Sequence, residues 1–300
     1  MSLVVMGTVA LDSLKTPHGI KEDLFGGSAA HFSMSARHFT NVHLSAVIGE
    51  DFPKKHISFL KSKKINTESL LIKSGKTFRW NGEYLAYDMN TAITLNTTLG
   101  VIVEFKPTVS ARQKNIENVF LANYDPDIQL EFLSKLNKPN FIGMDTMNLW
   151  IDAKKQSVAK LMKKVHLVIV NDAEAQDFTS EKNILKAAKA LLSYGPKMVI
   201  IKKGEHGGIF YSKNHLFALP AYPLEEVIDP TGAGDTFAGG VMGVLAQSKK
   251  INSKILIKAL SYATILSSFN VQGFGMEMTK NLTIAQIEER MKVFREFFNY

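Results

Sequence analysis

The chain contains no cysteine. That removes disulfides, thiolate metal sites and cysteine nucleophiles from consideration, and it fits a reducing cytoplasm. Arginine is scarce: the 36 basic residues include it only at Arg37, Arg79, Arg112, Arg290 and Arg295. The lysines are scattered along polar faces instead of forming one block, so the net charge of +8 reads as a solvated surface and no nucleic-acid partner is expected. No apolar run reaches membrane length. The opening MSLVVMGTVALDSL has no basic leader and is broken by Gly7, Thr8 and Asp12, so neither a span nor a signal peptide is expected. The eight histidines show no HExxH spacing, which leaves histidine-based metal chemistry without support. Nor is there a GxxxxGK followed by Ser or Thr, or a GxGxxG after the first apolar run, which excludes a P-loop kinase and a Rossmann dehydrogenase.

What is present is an α/β rhythm. Apolar runs at Leu3 to Gly7, Val42 to Ile48, Val119 to Ala122, Phe141 to Met144, Leu167 to Val170 and Met198 to Ile201 suit buried parallel strands. Helical periodicity occupies Asp51 to Lys64, Ile128 to Leu136, Ile151 to Lys164, Ile184 to Tyr194, Ile251 to Asn270 and Thr283 to Phe298. From Leu70 to about Pro107 the rhythm stops. The stretches TFRWNGEYLAY and TAITLNTTLGVIVEF read as a small β-sheet lid, whose aromatics Phe78, Trp80, Tyr84 and Tyr87 could pack or stack on a substrate. No repeat or linker divides residues 1–300.

The stretch DPTGAGDTFAGG, from Asp229 to Gly240, carries the chemistry. Gly232, Ala233 and Gly234 let backbone N–H groups approach an anion, and an apolar helix begins there with its own unpaired amides and positive end. Asp235 can be an ordinary first-turn cap. Yet Gly239, Gly240 and Gly243 each cost about 0.5–1 kcal/mol against Ala within a helix, so close approach was selected over helix propensity. A carboxylate beside an amide nest can take the proton of an alcohol while the nest stabilises a phosphoryl group in transfer.

DPTGAGDTFAGG resembles the C-terminal signature of the ribokinase-like (PfkB) family of carbohydrate and nucleoside kinases. The resemblance implies Asp235 as catalytic base and the amides of Gly232, Ala233 and Gly234 as the anion hole. It extends along nearly the whole chain. Asp12, at a strand end where water alone is the simpler reading, matches the family's acceptor for substrate hydroxyls. FGGSAAHFSMSAR, where Gly-Gly punctuates a loop and Ser28 caps a helix, is similar to the N-terminal signature. There Gly26 and Gly27 meet the sugar, and His31 stands where Asn is usual. Asn171 and Glu174, readable as an N-cap with an acidic first turn, match an Asn-x-x-Glu motif that organises Mg²⁺, water and phosphate.

Gly204 and Gly207 fall where the family contacts the nucleotide, with Lys202 in place of a frequent Thr. The turn at Asn270 falls where the family walls the adenine, and the Asp229 and Thr231 positions help some relatives bind a stimulating monovalent cation such as K⁺. The implied architecture is a single kinase domain, a three-layer α/β/α sandwich with a mostly parallel sheet. A lid is inserted at about 70–107, with 13–25 as a second contribution, covering the substrate and offering a homodimer contact. The implied function is ATP- and Mg²⁺-dependent phosphorylation of a sugar hydroxyl. An adenosine-type nucleoside kinase is the alternative, and a ligand-sensing or interaction module on the same fold is the non-enzyme one.

Overall fold

The computed structural model describes residues 1–248 and 250–297. Its first strand, β1 (Ser2–Met6), sends Leu3 and Val5 into one apolar cluster and Val4 and Met6 into another, as a strand covered on both faces must. The chain leaves for a hairpin, β2 (Ala10–Thr16) and β3 (Gly19–Gly26). It then returns through α1 (Ser28–Ala36), β4 (Asn41–Gly49), α2 (Lys54–Ser62) and β5 (Asn66–Lys73). A second excursion forms β6 (Arg79–Leu85) and β7 (Asp88–Thr98).

Strand and helix then alternate through β8 (Asn118–Leu121), α3 (Pro126–Ser134), β9 (Phe141–Met144), α4 (Asn148–Met162), β10 (Leu167–Asn171), α5 (Asp172–Thr179), α6 (Ile184–Ser193) and β11 (Met198–Lys202). An antiparallel pair, β12 (Gly208–Ser212) and β13 (Leu216–Leu219), precedes three helices, α7 (Ala233–Ala246), α8 (Ser253–Asn270) and α9 (Ile284–Glu296).

The large sheet runs β13-β12-β11-β10-β9-β8-β1-β4-β5 and is parallel from β11 to β5. Side chains of α1, α7, α8 and α9 fill the cluster on one face, and those of α3, α4, α5 and α6 fill the other. The two excursions join as a separate sheet, β3-β2-β6-β7, with β2 parallel to β6. This is the expected mostly parallel α/β architecture with a smaller β-sheet beside it.

Several bounds differ from those read in the sequence. Leu70 to Lys73 belong to β5, the edge strand of the large sheet, and not to the lid: Leu70, Leu71 and Ile72 pair with Ala46, Val47 and Ile48. Past Thr98 the chain makes a short 3₁₀ turn, Gly100–Glu104, and buries Val101 and Phe105 in the core. The second lid segment is therefore β6 and β7, while residues 13–25 lie in β2 and β3. Asp51 precedes α2 and bonds Thr77 and Arg79. Phe298, taken as the end of the last helix, lies outside the described residues.

Helix α7 packs between α1 and α8. A Cβ on Gly239 would run into the Phe32 carbonyl, and one on Gly240 would come 2.7 Å from the Ala263 Cα. Close approach is thus what those glycines provide. Among the described residues no helix is long and apolar enough to cross a membrane.

Candidate active site

In an open parallel sheet, ligands collect at the carboxyl ends of the strands, and the chemistry-bearing residues gather there. Gly27 joins β3 to α1 as the helix N-cap, with φ 96°. A Cβ there would stand 2.6 Å from the Thr8 carbonyl, so only glycine can make this turn. Ser28, expected to cap α1, does not: its hydroxyl accepts from Thr8 N and donates to the Asn123 carbonyl, tying the turn to the ends of β1 and β8. Asp12 lies against Gly26 and accepts from the Gly27 N–H. Burial pushes its carboxyl up to about 7 against that hydrogen bond, and the charges of Asp229 and Asp235 add to the rise.

The N-terminus of α7 is built around Gly232, whose φ of 73° makes it a left-handed N-cap with no side chain to block its amide. Asp235 follows in the first turn. Burial raises its carboxyl to about 6, while Lys202 and its own backbone N–H pull it down. Lys202, at the end of β11, has its ammonium beside Gly234, where a Cβ would come 2.6 Å from Nζ. Of the three expected amides, Ala233 N already donates to the Pro230 carbonyl at 3.1 Å, whereas Gly232 N and Gly234 N have no protein partner among the described residues. A cation and these two amides share one spot, which suits a phosphate.

Asn171 and Glu174 form a complete capping box at the start of α5. Glu174 N donates to Asn171 Oδ1 at 2.7 Å, and Asn171 N donates to Glu174 Oε2 at 2.8 Å. The cap and the site coexist: burial holds the Glu174 carboxyl above its usual range, and it feels both Lys202 and Asp235.

Asp145, just beyond β9, was not singled out from the sequence. It is buried, its Oδ1 has no hydrogen-bond partner among the described residues, and burial raises it well above the usual carboxylate range. The charges of Asp235 and Glu174 push it further up, while Lys202 and the Asn123 amide oppose the rise. Its signal in the sequence is a carboxylate directly after a buried strand, FIGM; Asp12, by contrast, rests on the resemblance and lies within β2.

Asp145, Glu174 and Asp235 thus converge around Lys202, and Asp12 adjoins them through Asp235. Hard carboxylate oxygens with an orphaned Oδ1 fit Mg²⁺, which keeps waters and phosphate oxygens and needs only one or two protein carboxylates. Among the described residues no three acidic or histidine side chains form a cage by themselves.

Several residues expected to meet ligands have protein partners instead. Asn270 does not line an open nucleotide wall. It is buried, donates to the Thr231 carbonyl at 2.8 Å, and accepts from Thr236 Oγ1 at 3.1 Å and from His31 Nδ1 at 3.2 Å. His31 is buried with its ring beneath Gly232. Burial lowers its pKa to about 4, so the ring is neutral. Because the Asn270 oxygen only accepts, the proton sits on Nδ1. Its Nε2 is sealed from solvent and has no hydrogen-bond partner among the described residues.

Asp229 is fully buried, with Oδ1 accepting from Thr231 N and Oδ2 from Gly275 N, both at 2.8 Å. Gly204 is covered by the lid residue Asn90, whose Nδ2 donates to Glu205 Oε2 at 3.1 Å, while Gly207 turns tightly against Leu219. A second lid residue, Tyr84, is buried and its hydroxyl accepts from Thr231 Oγ1 at 3.3 Å. Trp80 instead lies on its own sheet, over Gly82, donating to Thr94.

The model of the pfkB family carbohydrate kinases matches residues 11–280. A cytidine kinase of Thermococcus kodakarensis is 29% identical over 258 residues, covering 84% of this chain and 91% of the relative. Among solved structures, a Burkholderia thailandensis nucleoside kinase in complex with inosine superposes with a TM-score of 0.83 at 17% identity, covering 99% of both chains. An aminoimidazole riboside kinase from Salmonella enterica, complexed with aminoimidazole riboside and an ATP analogue, gives 0.77 at 17% identity, covering 97% of this chain and 100% of its own. These likenesses establish the ribokinase fold.

Proposed function

The chain belongs to the pfkB family of carbohydrate kinases and is a phosphotransferase acting on a hydroxyl group, and from that premise we propose that it phosphorylates a nucleoside with ATP. The observation that carries the acceptor class is the likeness to the cytidine kinase across most of both chains. A free sugar, the first expectation, becomes the second reading.

Asp12 and the Gly26–Gly27 turn position the acceptor hydroxyl, and Asp235 takes its proton. The acceptor oxygen forms a bond to the γ-phosphorus as the bond from that phosphorus to the β–γ bridging oxygen breaks, and ADP leaves. The amides of Gly232 and Gly234, with the Lys202 ammonium, stabilise the charge on the moving phosphoryl group, while the Ala233 amide holds the turn through the Pro230 carbonyl. Mg²⁺, when bound, supplies charge neutralisation on the triphosphate, and Asp145 with Asn171 and Glu174 would hold it through oxygen and water.

His31 acts as a positioning residue and does not touch substrate, since its free nitrogen is sealed. Asn270 serves as the bracket of the anion loop, and Gly204 and Gly207 shape the nucleotide-side turn that Asn90 closes. Asp229 is buried with no cationic side chain paired to it among the described residues, which supports a K⁺ requirement at Asp229 and Thr231.

The outer face of the lid, where Tyr87, Ile93 and Leu95 are 87%, 42% and 57% exposed, supports a homodimer through the edge strand β7. An ATP-consuming kinase without cysteine suits the cytoplasm.

The test is ATP-dependent phosphorylation of cytidine, uridine, adenosine and inosine against ribose and fructose. A nucleoside should exceed either sugar in kcat/KM by about 10²-fold or more, since a buried base contact is worth a few kcal/mol. A sugar that outperforms every nucleoside would reverse the assignment.

A further inference from the structure

A cavity of about 560 Å³ opens at the amino ends of β1, β4 and β5, lined by Ser2, Asn41, His43, Lys64, Asn66, Arg112, Asn115 and Glu117 among others. It lies at the opposite end of the sheet from the phosphoryl-transfer site, and nothing in the proposed reaction uses it. Its chemistry is lopsided. The side chains of Lys64 and Arg112 make no ion pair or hydrogen bond among the described residues.

Asn66 and Asn115 both have their amide oxygens occupied: Asn66 Oδ1 accepts from Glu68 N at 3.0 Å, and Asn115 Oδ1 accepts from Asn137 Nδ2 at 2.9 Å. What each amide has left to offer is its NH₂ group. His43, on β4, is 5% exposed, and its Nδ1 is buried with no hydrogen-bond partner among the described residues. Two cations and two amide donors therefore line the cavity together with the Glu117 carboxylate, while the His43 ring forms part of the wall with its Nδ1 sealed and the Glu68 charge also within its reach.

Unpaired donors on this scale are satisfied by an anion with several acceptor oxygens, and guanidinium with ammonium is the pair that suits phosphate best. A bare anion would leave Glu117 in repulsion. An anion carrying hydroxyl groups would not, because a carboxylate accepts from hydroxyls. We propose that this cavity is a second binding site, taking a small phosphate monoester of a polyol with its phosphate on Arg112 and Lys64 and its hydroxyls at Glu117. Such a ligand puts a negative charge beside His43, whose pKa burial and the Arg112 charge lower against the pull of Glu68.

The proposal is tested by imidazole NMR on the full chain, titrating ribose 5-phosphate and, separately, inorganic phosphate. The His43 ring resonance should shift and saturate with ribose 5-phosphate at a Kd of about 1 mM or tighter. The paired variant Arg112→Ala with Lys64→Ala should weaken this at least tenfold, while the His31 resonance, at the kinase site, responds as in wild type. Arg112 and Lys64 are exposed, so the fold tolerates their removal. Glu117→Gln should weaken ribose 5-phosphate while leaving inorganic phosphate unchanged or tighter. A His43 resonance unmoved by either probe, or a saturation curve identical in the paired variant, would overturn the site. Inorganic phosphate binding as tightly as the ester would overturn the polyol part.

Discussion

The Lys202 ammonium stands so close to Gly234 that a Cβ on that glycine would come within 2.6 Å of Nζ. A cation from the end of β11 and the amides at the start of α7 thus act on one point. Gly234→Ala should push the lysine out of register and lower kcat by about 10²-fold, the scale of losing one preorganised donor. Lys202→Met should do the same. Because Lys202 is only half-buried, Tm should stay within a few degrees, so steady-state kinetics beside thermal melts separate a catalytic loss from unfolding.

The pH dependence of the reaction follows from Asp235. It accepts a proton, so it must start ionised, and burial holds it at about 6. We expect kcat/KM to rise with pH through about 6 and level off above it. Asp235→Asn should lower kcat by roughly 10³-fold and leave nucleotide binding measurable by calorimetry. Turnover within threefold of wild type would remove Asp235 as the base.

Stability should move the opposite way. Asp12 ionises near 3.8 in the unfolded chain and about 7 when folded. Between those values the native state holds a proton that the unfolded state has lost, so stability falls as pH rises through this window. In protein free of nucleotide and metal, Asp12→Asn should melt roughly 5 °C above wild type at pH 8, and the gap should close as pH falls toward 4. A constant gap across that range would show that the carboxyl is not destabilised by burial.

Much of this site was legible because each residue type was the only one able to do its local job. Gly232 was marked by a run of small residues before an apolar helix, where the structure makes a left-handed turn, and Gly239, Gly240 and Gly243 by their poor helix propensity. Strands β1, β8, β9, β10 and β11 stood out because burial on both faces makes them apolar throughout. The strand β13 did not, since Leu216 to Leu219 is short and alternates between exposed and half-buried. Leu70 to Lys73 looked like lid because an edge strand, like a lid strand, is only partly covered. The role of His31 depends on a partner 239 residues away, Asn270, and local pattern carries no information about it. Asp145 carries only a weak local signal, one carboxylate after a four-residue buried strand.

The exposed Ile93 and Leu95 lie two residues apart on β7 and so share one face of the lid. If that face pairs with a second copy, light scattering at micromolar concentration should give a dimer mass, and Leu95→Glu should give a monomer that keeps its fold by circular dichroism. A monomeric wild type would discard the lid contact.

His31 separates two ways of acting. Were it a substrate contact, His31→Asn would change the acceptor KM and leave kcat near wild type. The structure instead joins His31 to Asn270, and Asn270 to the Thr231 carbonyl and Thr236 hydroxyl, with the ring filling the space beneath Gly232. A smaller Asn side chain leaves that space unfilled and the anion loop less constrained. Loss of placement at the reacting phosphorus costs about 10–10²-fold in rate, so kcat should fall on that scale while the acceptor KM stays within about threefold. Since His31 is neutral above about 4, the kcat/KM profile from pH 5 to 8 should keep the same midpoint in the variant. A displaced midpoint, or a loss confined to KM, would return His31 to the substrate.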